Sequence, residues 1–483
     1  MLEKESLNFF LNGREVNLDV EKIKSFTLLD LLRNELHLTG VKRGCSEGDC
    51  GACTVVIGEY SPIYEKVIYK TITSCIYPLF KVDGKHVITI EGIEENGNLH
   101  PIQKSFIDHH AIQCGFCTPG MIMSLFGLFL ENPSPSEKEI TKALSGNLCR
   151  CTGYKTIKEA ALDINGEDFQ IPSHVKKVEE KIYERYNLEK GKTKKFRLNK
   201  IFPFREYISP HSLKDLFREI SKGNYKIING GSDLFVGINK LSLEFDGLID
   251  ISRIEELNFI HIDGKRIEFG AGITFHELLE KLKEFKHIFE IIGSNQIRKV
   301  GTMGGNIANG SPIADGAVFL LSMDAILTLE KKDGKRVVPL KEFYQGYKKF
   351  DLKEGEIISK IEFTIPEGKI SYLKTSKRKE VDIASVNSSL VIDESNGKIR
   401  DVKISFGGVY PYPFRIEKGE RFLKGKNLEE KNIYELAKLC KEEVAPISDV
   451  RGSKTFRKEL VYNHILKHFL NLFPHIFGER NGG

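Results

Sequence analysis

The sequence predicts a multidomain α+β protein, on three observations. At 483 residues the chain is too long for one ordinary domain, and roughly three to four modules are expected. Eight of its nine cysteines fall into two blocks within the first third of the chain. Its character also changes along its length, from strand-like alternation to helix, then to strands alternating with helices and frequent glycine.

Hydrophobic residues at 40% and charged residues at 29% describe a globular protein able to bury real cores. A net charge of +5, from 72 basic and 67 acidic residues, gives no reason to expect nucleic acid or a membrane as partner. The start, Met1-Leu2-Glu3-Lys4-Glu5, lacks the basic and apolar stretches of a signal peptide. The longest apolar runs, near 121–130 and 317–329, are too short to span a bilayer or are broken by Asp324. A cytoplasmic protein with no membrane insertion is expected, in which clustered cysteines are metal ligands rather than disulfides. Cys440 stands apart and is expected to be an inert buried thiol.

The first module, 1–92, opens with strand-like alternation at 7–11 and a hairpin signal at Asn12-Gly13. A helix follows at 27–36, with Thr27 as N-cap, and then strands at 55–57, 66–71 and 87–90. A small sheet crossed by one helix is a ferredoxin-like arrangement. The second module, 93–165, becomes helical. Thr118-Pro119 marks a start with Thr as cap and Pro at the first helical position, and the apolar stretch 121–130 predicts a buried helix. Ser136-Glu137-Lys138-Glu139 is a capping box for a second helix ending near Gly146-Asn147. Residues 166–200 are charge-dense, with little apolar periodicity from Val175 on, and predict a solvated linker. Strands and helices alternate over 201–367. The last segment, 368–475, predicts a strand near 402–406 and helices near 432–443 and 455–473.

Cys45, Cys50 and Cys53 stand in C-x4-C-x2-C spacing, with Cys75 as a distant fourth, which is the spacing of plant-type [2Fe–2S] ferredoxins. Gly44, Gly48, Gly51 and Ala52 let the loop wrap closely and aim amide N–H groups at sulfur. Structural zinc is the alternative, although zinc sites usually close with short C-x2-C knuckles on both halves. Cys114 and Cys117 form C-x2-C, and Cys149 and Cys151 form C-x-C. Spacing alone leaves zinc and a second cluster both open here; a second cluster beside the first would extend an electron wire.

Two glycine loops carry the third chemistry. Ile227-Ile228-Asn229-Gly230-Gly231-Ser232-Asp233-Leu234 is expected to run from strand through a tight turn into a helix, offering bare N–H groups to a phosphate. Thr302-Met303-Gly304-Gly305-Asn306 is a second loop, and the pair suits a pyrophosphate held between two lobes. Neither is a Rossmann fingerprint: Gly270-Ala271-Gly272 follows a strand, but no third glycine completes it.

Gln113-Cys114-Gly115-Phe116-Cys117-Thr118-Pro119-Gly120 and Gly146-Asn147-Leu148-Cys149-Arg150-Cys151-Thr152-Gly153-Tyr154 resemble the second-cluster motifs of the molybdenum hydroxylases, a family that includes xanthine dehydrogenase and aldehyde oxidase. The first cysteine block is similar to the same family's ferredoxin domain, and the glycine loops to its FAD domain. The resemblance implies a β-grasp ferredoxin domain, an all-α helical-bundle [2Fe–2S] domain, a two-lobed α+β FAD domain of the vanillyl-alcohol-oxidase type and a small α+β C-terminal flavoprotein domain. It implies two [2Fe–2S] clusters and FAD as cofactors, with Gln113 touching the pterin of a molybdenum cofactor. By the same resemblance, residues 227–234 line the FAD diphosphate, 302–306 close over it, Asp315 contacts the cofactor and Lys374 lies near the flavin. Ile292 stands where some relatives stack an aromatic ring on the flavin, which leaves the choice of NAD or oxygen as acceptor open.

The chain ends soon after the flavin unit, so the resemblance implies a separate molybdopterin-binding large subunit, in a heterotetramer or larger assembly. Cluster, cluster, flavin is the order of the small subunit in split xanthine dehydrogenases. The expected function is electron transfer from xanthine oxidation on the partner, through both clusters and FAD, to NAD. The competing expectations are an electron-transfer subunit for an aldehyde or another N-heterocycle, and a stand-alone iron–sulfur flavoprotein reductase.

Overall fold

A computed structural model of the chain describes residues 2–164, 166–167, 169–199, 201–378 and 381–478. The chain forms a multidomain α+β protein that divides into two compact units. The first holds the chain up to residue 256 together with 274–281 and 293–301; the second holds 257–273, 282–292 and the remainder from 302. The last residue assigned to the predicted linker, Lys200, and Asn165 at the end of the helical module lie outside the described residues.

In the first unit, a five-stranded sheet runs in the order Arg14–Asp19, Ser6–Leu11, His86–Ile88, Thr54–Ser61, Lys66–Thr73. Ser6–Leu11 and His86–Ile88 pair in parallel; the other pairs are antiparallel. The hairpin at Asn12-Gly13 turns through two positive φ values, 48° and 82°, which is the turn that Asn-Gly accommodates. Thr27 caps the crossing helix by accepting from the Asp30 amide at 3.2 Å. That helix widens into a π-turn over Leu31–Glu35. The strand expected at 87–90 stops at Ile88 and gives way to a 3-10 turn, Ile90–Gly92.

Four helices follow: Pro101–Asp108, Thr118–Glu131, Glu137–Leu144 and Lys155–Asp163. The Ser136 capping box forms as expected. The cap of Thr118–Glu131 corrects the expectation: Cys117 stands at the N-cap, so Thr118 and Pro119 are both already inside the first turn. Helix Thr118–Glu131 is buried nearly all round, and its Met121, Met123, Leu125, Phe126 and Phe129 fill the core of this module.

The solvated linker is also corrected. Residues Ser173–Glu189 form a 17-residue helix that buries Val175, Val178 and Ile182. These three residues recur at helical spacing, a narrow stripe that the surrounding Lys and Glu obscure in the sequence. Beyond it, a second sheet orders Leu2–Glu3, Lys194–Arg197, Phe204–Ser209, Phe245–Asp250 and Tyr225–Ile228. Its Phe196, Phe204 and Tyr207, with Phe202 from the turn between the strands, share one core with Leu79, Phe80 and Val82 of the ferredoxin-like module.

The second unit contains a five-stranded antiparallel sheet ordered Ile260–Asp263, Arg266–Gly270, Ile357–Thr364, Ile326–Lys331, Gly334–Pro339. A four-stranded antiparallel sheet includes Lys369–Thr375, Val386–Ser395 and Lys398–Gly407, and is covered by helices Glu430–Glu443 and Lys454–Leu472. Cys440 is wholly buried in that core, where burial pushes its thiol up. Among the described residues, no helix is long and apolar enough to cross a membrane.

Candidate functional site

The loop that carries Cys45, Cys50 and Cys53 lies between the helical turn ending at Glu35 and the strand Thr54–Ser61; Cys75 comes from the turn Ser74–Ile76 at the end of the neighbouring strand. Strand pairing of Thr54 with Thr73 therefore brings the fourth cysteine back to the first three. The loop folds as tightly as its small residues allow. Gly48 and Gly51 take φ values of +82° and +66°, and a Cβ on Gly44 would come within 2.6 Å of Cys50 Sγ. The amides of Glu47 and Cys50 donate to Cys45 Sγ, and the Cys45 amide donates to Cys50 Sγ, each at 3.4 Å. Hydrogen bonds from Cys50 and Cys75 hold the Cys45 thiol far below its usual range, while the bond to Cys45 pushes Cys50 and Cys75 up. Four convergent thiols fed by amide donors are the donor set of an iron–sulfur cluster.

The second set converges from two loops. Cys114 and Cys117 precede helix Thr118–Glu131, and Cys149 and Cys151 lie between helices Glu137–Leu144 and Lys155–Asp163. Cys114 Sγ and Cys151 Sγ stand 3.6 Å apart. Burial, then a hydrogen bond with Cys149, pushes the Cys117 thiol up to about 12. Thr152 Oγ1 lies 3.2 Å from Cys149 Sγ, and Tyr154 OH accepts from the Cys149 amide at 2.9 Å. Gln113, Cys114 and Cys151 are exposed. Among the described residues, no three His, Cys, Asp or Glu side chains gather as they would around a single metal ion.

In the first unit, strand Tyr225–Ile228 runs through Asn229, Gly230, Gly231 and Ser232 to Asp233, which precedes helix Leu234–Leu241. Gly230 packs backbone to backbone on Val300 and Gly301, leaving no space for a Cβ, and Gly231 takes φ +71°. The buried Asn229 Nδ2 has no hydrogen-bond partner. An unpaired buried donor on a turn of bare amides fits the diphosphate of FAD.

In the second unit, Thr302 caps helix Met303–Asn309 by accepting from the Gly305 amide at 3.1 Å, and Gly304 packs on Ala271 where a Cβ would not fit. Asn306 Oδ1 is taken by the Ala317 amide at 3.1 Å. Asp315 accepts from Lys374 Nζ at 2.8 Å, Tyr372 OH at 2.8 Å and Asn387 Nδ2 at 2.6 Å. Lys374 also donates to the Ile291 carbonyl at 2.9 Å, next to the buried Ile292.

Four family models match the chain in succession: a 2Fe-2S iron-sulfur cluster binding domain over residues 9–75, a [2Fe-2S] binding domain over 89–162, an FAD binding domain in molybdopterin dehydrogenase over 199–367 and a CO dehydrogenase flavoprotein C-terminal domain over 371–472. The chain carries the iron–sulfur and flavin region of the molybdenum hydroxylases. Its cofactors are two [2Fe–2S] clusters and FAD.

Xanthine dehydrogenase 1 of Arabidopsis thaliana is 31% identical over 92% of this chain and 38% of its own length. Aldehyde oxidase 1 of Rattus norvegicus is 30% identical over 100% of this chain and 40% of its own. The chain thus spans about two-fifths of the length of the curated relatives it matches. Among solved structures, the Cu,Mo-CO dehydrogenase in its cyanide-inactivated form is 27% identical with a TM-score of 0.51, covering 54% of this chain and 94% of that one. Carbon monoxide dehydrogenase from Hydrogenophaga pseudoflava is 25% identical with a TM-score of 0.52, over 54% of this chain and 94% of that one.

Two residues of this hydroxylase region, unmarked in the sequence, tie the first flavin lobe to the first cysteine set. Asn239 Nδ2, on helix Leu234–Leu241, donates to the carbonyls of Ser46 at 3.0 Å and Cys75 at 2.9 Å. Lys81, six residues beyond Cys75, donates to the Asn229 carbonyl at 2.5 Å and pairs with Asp250 at 3.4 Å.

Proposed function

We propose that this chain is the electron-transfer subunit of a molybdenum hydroxylase, in the first instance a xanthine dehydrogenase. It would relay electrons from a molybdopterin-binding partner to FAD and then to NAD. The observation that carries the reading is the full complement of eight thiols, in two convergent sets, ahead of a flavin module in the same chain. When bound, the clusters exchange electrons singly and the flavin exchanges them singly or in pairs.

The residues have distinct work in this reading. Cys45, Cys50, Cys53 and Cys75 would hold one cluster, with amide donors offsetting the negative charge on sulfur. Cys114, Cys117, Cys149 and Cys151 would hold the other, close to solvent. Ile227 to Leu234 would grip the diphosphate through backbone N–H groups and Asn229 Nδ2, and Thr302 to Asn306 would add a second set of amides. Lys374 and Asp315, locked to each other, would keep a fixed polar edge beside the flavin. Gln113 would meet the pterin.

Support for a partner comes from the surface around the second set. Ile112, Phe116, Leu148 and Tyr154 are 38%, 46%, 43% and 41% exposed beside exposed Cys114 and Cys151. A stand-alone reductase would leave that apolar rim in water. The aldehyde alternative draws on rat aldehyde oxidase 1, which matches along the whole chain. We place the protein in the cytoplasm, in a heterotetramer or larger assembly.

Purification of the chain alone and with its co-purifying molybdopterin protein tests this. Alone, it should reduce dyes with NADH and leave xanthine untouched; the complex should turn over xanthine with NAD. Xanthine oxidation by the chain by itself would overturn the reading, and turnover of aldehydes in preference to xanthine by the complex would select the alternative.

A further inference from the structure

Gln296 belongs to neither cysteine block nor to either glycine loop. It lies on the short helix Asn295–Arg298 within the flavin module, and its side chain is completely buried. Its Nε2 donates to Ser124 Oγ and to Asn147 Oδ1, both at 3.1 Å, and reaches Thr54 Oγ1 at 3.5 Å. Each of these neighbours is close in sequence to a candidate ligand. Thr54 follows Cys53; Ser124 is on the helix that opens after Cys117; Asn147 stands two residues before Cys149.

The junction continues past Gln296. Asn147 Nδ2 donates to the Gly51 carbonyl at 3.0 Å, between Cys50 and Cys53. The amide of Leu148, adjacent to Cys149, donates to the carbonyl of Cys50 at 2.9 Å. A ligand residue of one set is thereby joined to the neighbour of a ligand in the other by a single hydrogen bond. The packing leaves little freedom: a Cβ on Gly146 would overlap the Gln296 amide, and a Cβ on Gly51 would come within 2.6 Å of Asn147 Nδ2. Gln296 Oε1, meanwhile, is buried without a partner. An apolar side chain of the same shape would avoid that unmet acceptor, so the position keeps its amide against the preference of a purely structural core.

We propose that Gln296 is a positioning residue through which the flavin module sets the register of the two clusters and keeps the Cys50–Leu148 hydrogen bond closed, and thereby sets the electronic coupling between them. This rests on the reading of the two cysteine sets as cluster ligands. Coupling through a closed chain of bonds falls away far more slowly than coupling across a gap, so a small shift in register has a large effect on it.

The test uses the full chain with clusters reconstituted, and the variants Gln296→Met and Ser124→Ala. Iron content shows whether both clusters are held; low-temperature EPR of the fully reduced protein reads the splitting that each cluster imposes on the other. Gln296→Met should keep the iron of both clusters and narrow the splitting at least twofold, with a smaller change in the same direction for Ser124→Ala. Unchanged splitting in the variants overturns the proposal, and Ser124→Ala, which removes only one hydroxyl, decides the matter if Gln296→Met does not fold. Wild-type protein lacking either EPR signal defeats the cluster reading itself, a failure visible before any substitution is made.

Discussion

Cys149 and Cys117 meet across the helical module, while Cys45 meets Cys50 and Cys75 in the other set. Replacing Cys149 by alanine should therefore abolish one of two EPR signals and spare the ferredoxin-type one, with thermal stability checked by circular dichroism. Disappearance of both signals from folded protein would break the division into two sites. At this scale the cysteines were legible because their spacing is local. Asn239, Lys81 and Gln296 were not: each acts on a backbone or side chain far away in sequence, as Asn239 does on Cys75 at a separation of 164 positions. Nothing in the stretch around a lone Asn, Lys or Gln distinguishes such a role from a solvated polar side chain.

Among the elements, the ones with strong local signals formed as expected: the Asn12-Gly13 hairpin, the Ser136 capping box and, its cap apart, the buried helix Thr118–Glu131. The helix Ser173–Glu189 was missed because its buried stripe is only three residues wide. Helix Lys454–Leu472 hides a feature of another kind. His464 and His468 are buried on its inner face, joined through Ser388 Oγ at 2.7 and 2.8 Å, with Thr375 and Ser371 on their outer nitrogens. Burial, assisted by Lys467, lowers His464 to about 4, and burial and His464 lower His468 further. Both stay neutral in the folded protein at pH values where the unfolded chain, with histidines near 6.5, binds protons. Stability is thus full above about pH 7 and falls as the pH drops from 6.5 toward 4, by at most about 3 kcal/mol from His464. Urea midpoints measured between pH 7.5 and 5 should decline, and His464→Gln should flatten the decline. A slope identical in the variant would show that His464 is not the group responsible.

For the molecule as a whole, modules distinct in sequence are not all distinct in packing. The strand-rich start and the strands beyond residue 200 read as separate domains, since composition and periodicity report only on neighbours along the chain. Yet the Phe80 ring of the ferredoxin-like module lies 5.1 Å from Phe196, 6.1 Å from Phe202 and 5.7 Å from Tyr207, all in the sheet that leads into the first flavin loop or in the turn joining its strands. Lys81 and Asn239 brace the same junction with hydrogen bonds. One continuous core cannot come apart by module. Phe80→Ala should cost about 3–5 kcal/mol, through lost burial and the cavity left behind, and the loss should be felt on both sides of it. Hydrogen exchange checks this directly: amides of Thr54–Ser61 and of Phe204–Ser209 should lose protection together and to a similar extent. Loss confined to the ferredoxin-like strands would mean that the two sheets unfold independently, and the first cluster's hold on the flavin lobe would then rest on Asn239 and Lys81 alone.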